Sequence, residues 1–240
     1  MFCLPSENDA LVNERKFVGS NLLSEFAITL LDARCLPDGE YPLGHINSIY
    51  FDSYDTSSFY EKLNGDNLKI KIRARWYGCP EENTDADIPV FLEIKYRLGS
   101  ARDKVRSRVL APGRWLSSTP LDDPSFPSFL YKHAATLGRP IPQHWVPSIC
   151  ISYDRRRFLC PLTGSRVAVD WNIRSERINA ALFPFLASVS IPRTVCEFKN
   201  TTGEIPAWAE PLYQAGFRLR SFSKYGECIN QIQQGATPDE

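Results

Sequence analysis

The chain has 240 residues, of which 43% are hydrophobic and 23% are charged, as in ordinary soluble globular proteins. Its 28 basic and 28 acidic side chains give a formal net charge of zero, which argues against a general electrostatic attraction to nucleic acid or to an anionic membrane. Any site for an anion must therefore come from where the charges lie.

The cysteine and histidine content excludes other classes. The seven cysteines are scattered without a CxxC pair, and an odd number fits no closed disulfide framework. Three unclustered histidines argue against a structural zinc site. The N-terminus lacks the apolar run of a signal peptide, and no window reaches the roughly 18 apolar residues of a membrane helix. The sequence therefore indicates a protein of the reducing cytoplasm.

The first part of the chain mixes short strands and helices. Strand character at Glu14–Val18 is followed by Ser20, which is a suitable N-cap for a helix over residues 21–33. The predicted apolar stripe of this helix consists of Leu22, Leu23, Phe26 and Leu30. A strand over Ile46–Phe51 and a brief helix over Ser57–Leu63 follow.

The middle of the chain predicts three strands with one charged face each. Residues 68–77 alternate strictly between basic and apolar side chains, and residues 90–98 and 104–109 repeat the pattern. The basic positions are Lys69, Lys71, Arg73, Arg75, Lys95, Arg97, Lys104, Arg106 and Arg108. The apolar positions of the first strand are Ile70, Ile72, Ala74 and Trp76.

The last part continues in the same style. Further elements are predicted as a helix over 126–137, strands over 146–153, 166–173 and 194–199, and a helix over 206–215. Residues 234–240 are predicted to be a frayed tail. No linker divides the chain, so we predict a single domain over residues 1–240 with a core of about 12–228.

The three charged faces are informative together. For any one strand, a solvated outer face is the simpler explanation. Three neighbouring strands would however place like charges side by side, which is destabilising unless an anion neutralises them. We therefore predict an α+β fold in which an antiparallel β-barrel forms a tunnel, with helices packed outside and charges turned inward. Extended triphosphate or polyphosphate suits such a surface, and Glu14, Glu93 and Glu197 are candidate ligands for Mg²⁺ or Mn²⁺.

Nine short segments in order are similar to the VTC domain, the polyphosphate polymerase branch of the triphosphate tunnel metalloenzymes. They are Glu14-Arg15-Lys16-Phe17, Ser48-Ile49-Tyr50-Phe51-Asp52, Tyr60-Glu61-Lys62-Leu63, Lys71-Ile72-Arg73-Ala74-Arg75, Phe91-Leu92-Glu93-Ile94-Lys95, Ile151-Ser152-Tyr153-Asp154-Arg155, Val169-Asp170-Trp171-Asn172-Ile173-Arg174, Cys196-Glu197-Phe198-Lys199 and Phe222-Ser223-Lys224-Tyr225. The resemblance spans roughly residues 12–228.

The resemblance implies roles for particular residues. The residues implied to hold phosphate are Lys16, Arg73, Arg75, Lys95, Arg155 and Lys224, and Glu197 is implied to hold the metal. The strand pattern adds Lys104, Arg106, Arg108, Arg174 and Lys199 as further phosphate-binding candidates. Arg155 rests on the motif alone, because Arg156 and Arg157 follow it directly and one of the three must point outward.

Two departures from the superfamily pattern refine the expectation. Hydrolase and cyclase members are similar to E-x-E-x-K at the first strand, where this chain has Val12, Glu14 and Lys16. The missing glutamate favours the polymerase branch. The chain also has neither the SPX domain nor the membrane helices of eukaryotic polymerase subunits, so coupling to transport would require a separate membrane partner.

The expected reaction is transfer of the terminal phosphate of ATP to a growing polyphosphate chain. Arg73, Arg75 and Arg155 would stabilise the transferred group, and no general base is required because the acceptor phosphate is the nucleophile. A tripolyphosphatase in the same tunnel, with Glu14 or Glu93 orienting water, is the first alternative. A binding module without turnover is the second.

Overall fold

The computed structural model describes residues 13–78, 86–99, 101–184 and 188–235. The strands are β1 (Asn13–Ser20), β2 (Leu36–Pro37), β3 (Leu43–Asp52), β4 (Leu68–Tyr77), β5 (Asp87–Leu98), β6 (Ala101–Pro112), β7 (Val146–Leu159), β8 (Arg166–Ile178), β9 (Val189–Ile191), β10 (Arg193–Asn200) and β11 (Arg218–Leu219). The helices are α1 (Ser24–Asp32), α2 (Ser57–Leu63), α3 (Gly113–Ser118), α4 (Ser125–Ala134), α5 (Glu210–Gln214) and α6 (Lys224–Gly235). Short 3₁₀ turns precede α1, follow α4 and precede α5.

The strands are hydrogen-bonded in the order β11-β1-β10-β8-β7-β3-β4-β5-β6, with β2 on β7 and β9 on β8. The pairs whose register is defined are antiparallel. The order has two ends, so the sheet is open within the described residues. The predicted antiparallel sheet with helices is confirmed, whereas the predicted closure into a barrel is not.

The chain divides into two compact units. The first unit contains the described residues up to His45, Tyr153–Ile173 and Ile191–Ser223. The second unit contains Ile46–Ser152, Arg174–Ser190 and the described residues from Lys224 onward. The single domain over residues 1–240 stays a prediction.

The core of the second unit lies on the apolar face of β4, β5 and β6. Ile72, Ala74 and Trp76 of β4 are buried, as the alternating sequence predicts. They belong to one cluster with side chains from β5 and from α3 and α4, including Leu92, Ile94, Leu116, Phe126 and Leu130. Helices therefore cover the apolar face of these strands, which leaves the basic positions on the opposite face.

The core of the first unit packs α1 against β1, β8 and β10. Phe17, Val169 and Phe198 are buried there together with helix residues Ala27, Ile28 and Leu31. Ser20 caps the helical segment, its hydroxyl accepting from the Leu22 amide, as predicted.

The predicted apolar stripe of that helix is confirmed only in part. Leu23 and Leu30 pack against this core, whereas Leu22 is 88% exposed and Phe26 is 40% exposed. The segment is apolar on more than one side, and its first turn, at Asn21–Leu23, is a 3₁₀ turn. A 3₁₀ turn has 3.0 residues per turn instead of the 3.6 of an α-helix. The residues that follow it therefore face the sheet at other sequence positions than a continuous α-helix would predict.

The C-terminal segment differs most from the prediction. Residues 234 and 235 belong to α6 and not to a frayed tail, while residues 236–240 lie outside the described part of the chain. The buried residues of α6 are Tyr225, Cys228, Ile229 and Ile232. Their spacing of three, one and three is the signature of an amphipathic helix, and this signal could have revealed α6 from the sequence.

Candidate functional site

The nine predicted basic positions of β4, β5 and β6 share one face of the second unit, which we call the basic face. Strand register aligns them in rows across the sheet. Arg73 lies between Tyr50 and Glu93, and Arg106 is opposite Glu93 on the other side. In the next row, Lys95 has Lys71 on one side and Lys104 on the other. The cations that the sequence predicted to converge on these three strands therefore do so.

Glu93 lies in the middle of this face and is 2% exposed. The Arg73 Nε donates to Glu93 Oε2 over 2.7 Å, and Arg73 Nη2 contacts the same oxygen. Lys104 Nζ and Arg106 Nε lie 3.4 and 3.5 Å from Oε1. Burial alone would raise the pKa of Glu93, but Arg73, Arg75 and Lys104 hold it well below the ordinary value. Glu93 is thus an ionised anchor for the surrounding cations.

Three lysines form one row across the basic face. Lys71, Lys95 and Lys104 are direct cross-strand neighbours, an arrangement that is unfavourable without a counter-ion. The pKa of Lys104 is lowered, first by burial and then by the charges of Arg73 and Arg106, although Glu93 opposes the shift. A polyanion laid across this row would relieve the repulsion.

A network of side chains from β3 and α6 contacts Arg73, and the sequence analysis did not predict it. Arg73 Nη1 donates to the Tyr50 hydroxyl over 3.1 Å. The Tyr50 ring stacks on Tyr225 of α6, with centroids 5.0 Å apart. The Tyr225 hydroxyl donates to the buried Asp52 over 2.6 Å. The same carboxylate accepts the amides of Ser53 and Ser58, but burial outweighs these donors and raises the pKa of Asp52 above its ordinary value.

The motif residues Asp52 and Tyr225 were quoted for the resemblance without a role. Burial, followed by the nearby Asp52 carboxylate, raises the pKa of Tyr225 well above its ordinary value, so the phenol stays protonated. Tyr225 directly follows Lys224, which the resemblance implies to hold phosphate and which is the first residue of α6. The Asp52–Tyr225 bond therefore anchors the helix start that presents Lys224.

A second group of charged side chains lies in the first unit, and we call it the mixed cluster. It consists of Glu14, Lys16, Arg155, Asp170, Glu197 and Lys199. In the β1–β10 register, Glu14 is opposite Lys199 and Lys16 is opposite Glu197. Lys16 Nζ is 2.6 Å from Glu14, and Lys199 contacts Glu197 closely and Glu14 at 3.7 Å. Acids and bases therefore alternate both along and across these two strands.

Arg155 joins the mixed cluster through a bidentate ion pair. Its Nε and Nη2 donate to the two oxygens of Asp170 over 2.5 and 2.7 Å, and Nη2 lies 3.9 Å from Glu197. Arg156 pairs instead with Asp32, and Arg157 donates to the Tyr41 carbonyl. Of these three arginines, Arg155 is the one in the mixed cluster, and its role in holding phosphate stays a prediction.

Asp170 was not predicted as a site residue. It is fully buried, and it holds the plane of the Arg155 guanidinium. The alternation of Asp170 with the apolar Val169 and Trp171 was the signal in the sequence that could have identified it.

The protonation states of the mixed cluster are set by its own charges. Burial and Glu197 would raise the pKa of Glu14, but Lys16 and Lys199 bring it below its ordinary value. The pKa of Glu197 is likewise lowered, against burial, by Lys199, Arg155 and Lys16. The pKa of Lys16 is raised, since Glu197 and Glu14 outweigh its burial. Both glutamates are consequently available as anionic oxygen donors.

Glu14 and Glu197 fit a divalent metal bound jointly with phosphate. Mg²⁺ is commonly held by one or two carboxylates, with substrate phosphates and water as the other ligands. Both glutamates reach the same Lys199 ammonium, so their oxygens converge. Among the described residues, no group of three or more His, Cys, Asp or Glu side chains could hold a metal. The protein can therefore contribute two of the ligands, and the phosphates would have to supply the rest.

The remaining predicted site residues, Arg174 and Arg108, make none of the contacts described above. Arg174 pairs with the exposed Glu176 at 2.9 Å on β8. Arg108 lies opposite Phe91 on β6. Val12, where the first glutamate of the hydrolase pattern is missing, lies outside the described residues. Within the described ranges, no helix is both long and apolar enough to cross a membrane.

The family model of the VTC domain matches residues 21–233. The chain belongs to the VTC domain family. No curated protein matches this VTC domain. In fold it is similar to a proposed adenylate cyclase from Bacillus halodurans, at 12% identity and a TM-score of 0.44 over 95% of both chains. It is also similar to the PH1819 protein from Pyrococcus horikoshii OT3, at 9% identity and a TM-score of 0.46 over 92% of this chain and 99% of that one.

Proposed function

We propose that this VTC domain is a polyphosphate polymerase that transfers the terminal phosphate of ATP to the end of a polyphosphate chain. The observation that carries the proposal is the row Lys71, Lys95 and Lys104, in which like charges meet directly across three strands. Such a row is stabilised by a linear polyanion that spans several strands, and polyphosphate has this form.

The second unit supplies the cations of the proposed reaction. Arg73 is oriented by Glu93 and Tyr50, and Arg75 is buried beside the Ser48 hydroxyl. Guanidinium groups held in this way contact phosphate oxygens in two places at once. Arg73 and Arg75 stabilise the charge on the transferred phosphoryl group, and Lys71, Lys95, Lys104 and Lys224 hold the polyphosphate.

The proposed ligands for Mn²⁺ or Mg²⁺ are Glu14 and Glu197. A bound ion offsets the negative charge of phosphate oxygens. Lys16, Lys199 and Arg155 hold further phosphate oxygens when these carboxylates turn to the metal. Glu93, the third predicted ligand, is assigned instead to orienting Arg73, Lys104 and Arg106 on the basic face.

Polymerase chemistry requires fewer groups than hydrolysis. The acceptor is an ionised phosphate, so no base has to remove a proton from it. A hydrolase must in addition orient water, and Glu14 and Glu93 are the predicted candidates for this role. The assay below separates the two reactions.

The test is incubation of the purified protein with ATP and Mn²⁺, followed by gel and chromatographic resolution of the phosphate products. We expect long polyphosphate with a matching amount of ADP. Orthophosphate without polymer would replace the proposal with a triphosphate hydrolase. Binding of tripolyphosphate without turnover would leave a binding module.

Substitutions connect the assay to the site. Arg75→Lys keeps the charge but loses the forked guanidinium, and Glu197→Gln keeps the shape but loses the charge. We expect both to abolish polymer formation while the protein stays folded by circular dichroism. Arg139→Lys is the matched control, since Arg139 pairs with Asp103 away from both groups of residues. Near-normal activity of Arg75→Lys and Glu197→Gln would refute the assignment.

A further inference from the structure

One residue on the basic face is aromatic. Phe91 lies on β5 with Arg75 opposite on β4 and Arg108 opposite on β6. Its neighbours Val90 and Leu92 are fully buried in the core of the second unit, so the Phe91 ring projects from the other side of the strand. An apolar ring among cations that are suited to phosphate indicates a ligand with an apolar part.

The guanidinium of Arg106 lies on this ring. Its central carbon is 3.7 Å from the Phe91 ring centroid, which is direct stacking contact. Glu93 holds the Arg106 Nε at 3.5 Å, and the Arg106 side chain is 41% exposed. The Tyr77 ring meets Phe91 edge-on at 5.9 Å and is itself 42% exposed. Phe91 and Arg106 thus form a flat platform of two stacked groups, in which Glu93 contacts Arg106 and Tyr77 contacts Phe91.

This geometry suits a base better than a phosphate. A guanidinium binds phosphate through N–H groups that point outward in its own plane, whereas its flat faces stack on aromatic rings. Nucleobases stack on aromatic side chains and on arginine planes alike. The strand pattern assigned Arg106 to phosphate. Its position over Phe91 favours a stacking role, while Arg75 and Arg108 flank the platform as cations.

We propose that the Phe91–Arg106 platform binds the base of a nucleoside triphosphate whose phosphates lie on the basic face. The proposal rests on the proposed function and adds a determinant of nucleotide specificity. Stacking uses the π-face that every base has, so it does not separate adenine from guanine. The larger purines are expected to bind more tightly than the pyrimidines.

The test compares ATP with tripolyphosphate, which has no base, by calorimetry in EDTA so that no turnover occurs. The variants are Phe91→Leu, which removes the π-face, and Arg106→Lys, which keeps the charge but removes the plane. We expect each to raise the Kd for ATP about fivefold or more, as for the loss of one stacked base. The Kd for tripolyphosphate should change by less than about twofold. The Kd for GTP should rise by as much as the Kd for ATP.

The controls separate this proposal from the proposed function. Arg139→Lys repeats the change of Arg106→Lys away from the platform and should leave both Kd values unchanged. Phe91→Trp keeps a π-face and, unlike Phe91→Leu, should bind ATP as the wild type does. Equal losses for ATP and tripolyphosphate, or no loss for either, would overturn the base platform and leave the polyphosphate proposal standing. Failure of the wild type to bind either compound would overturn both.

Discussion

On the basic face, nine lysines and arginines share three strands with the carboxylate of Glu93, whereas in the mixed cluster three cations pair with three carboxylates. In the mixed cluster every cation keeps an acidic partner, and the arrangement is neutral without a ligand. On the basic face, like charges lie side by side across the strands. The same antiparallel pairing therefore places opposite charges together in one unit and like charges together in the other.

The largest loss in the free energy of unfolding is expected from Glu93→Gln. The change leaves several partly buried cations without their counter-charge, and loss of one partner in a buried pair costs about 3 kcal/mol or more. Glu197→Gln should cost less, about 1–2 kcal/mol, because Glu14 and Asp170 still neutralise the neighbouring cations. Urea unfolding followed by tryptophan fluorescence measures both values.

Glu176→Gln is the control for these two substitutions. Glu176 is 67% exposed in its ion pair with Arg174, so the free energy of unfolding should change by no more than about 0.5 kcal/mol. Equal losses for Glu93→Gln and Glu197→Gln would show that the two charge groups do not differ in the proposed way.

The next effect concerns the support beneath Arg73. Tyr225→Phe keeps the stack on Tyr50 but removes the hydroxyl that Asp52 accepts, leaving a buried carboxylate short of one donor. We expect a loss of about 1–3 kcal/mol in the free energy of unfolding. Tyr54→Phe, at a position 66% exposed, should change it by less than about 0.5 kcal/mol. A neutral Tyr225→Phe would mean that the Asp52 bond does not brace this face.

The acid sensitivity of the fold follows from the lowered pKa values. Glu93 and Glu197 both have folded-state pKa values below the ordinary 4.5, so the unfolded chain binds more protons in this range. Their contribution is present above about pH 4.5 and is lost as the pH falls below it. Unfolding free energies measured from about pH 6 to about pH 3 should fall less steeply for Glu93→Gln than for the wild type.

The smallest effect is an expected gain in stability on the basic face. Lys95→Gln removes the central charge of the lysine row and should stabilise the free protein by about 0.2–1 kcal/mol. The same change should reduce the gain in Tm on adding tripolyphosphate. Lys132→Gln, at an exposed position on α4, should change neither quantity. Destabilisation by Lys95→Gln would show that the row is neutralised within the protein.

The strands of the second unit could be read from the sequence because alternation is a local property. Residues 68–77 were assigned to one strand, and β4 has these bounds. The order of cations along each strand also followed directly. The position of Glu93 among Arg73, Lys104 and Arg106 did not, because it depends on the register between strands.

Other features needed contacts between distant parts of the chain. The pairing of Asp52 with Tyr225 joins residues 173 positions apart, and no local pattern indicates such a bond. The buried side of α1 was predicted only in part because several sides of the helix are apolar and packing selects among them. The sequence by itself determined the strands, the family and the alternation of charge, since these depend on neighbouring residues. Only the tertiary structure decided which charges pair with an opposite charge and which lie beside a like charge, because ion pairs form between strands whose register is set by the packing of their apolar faces.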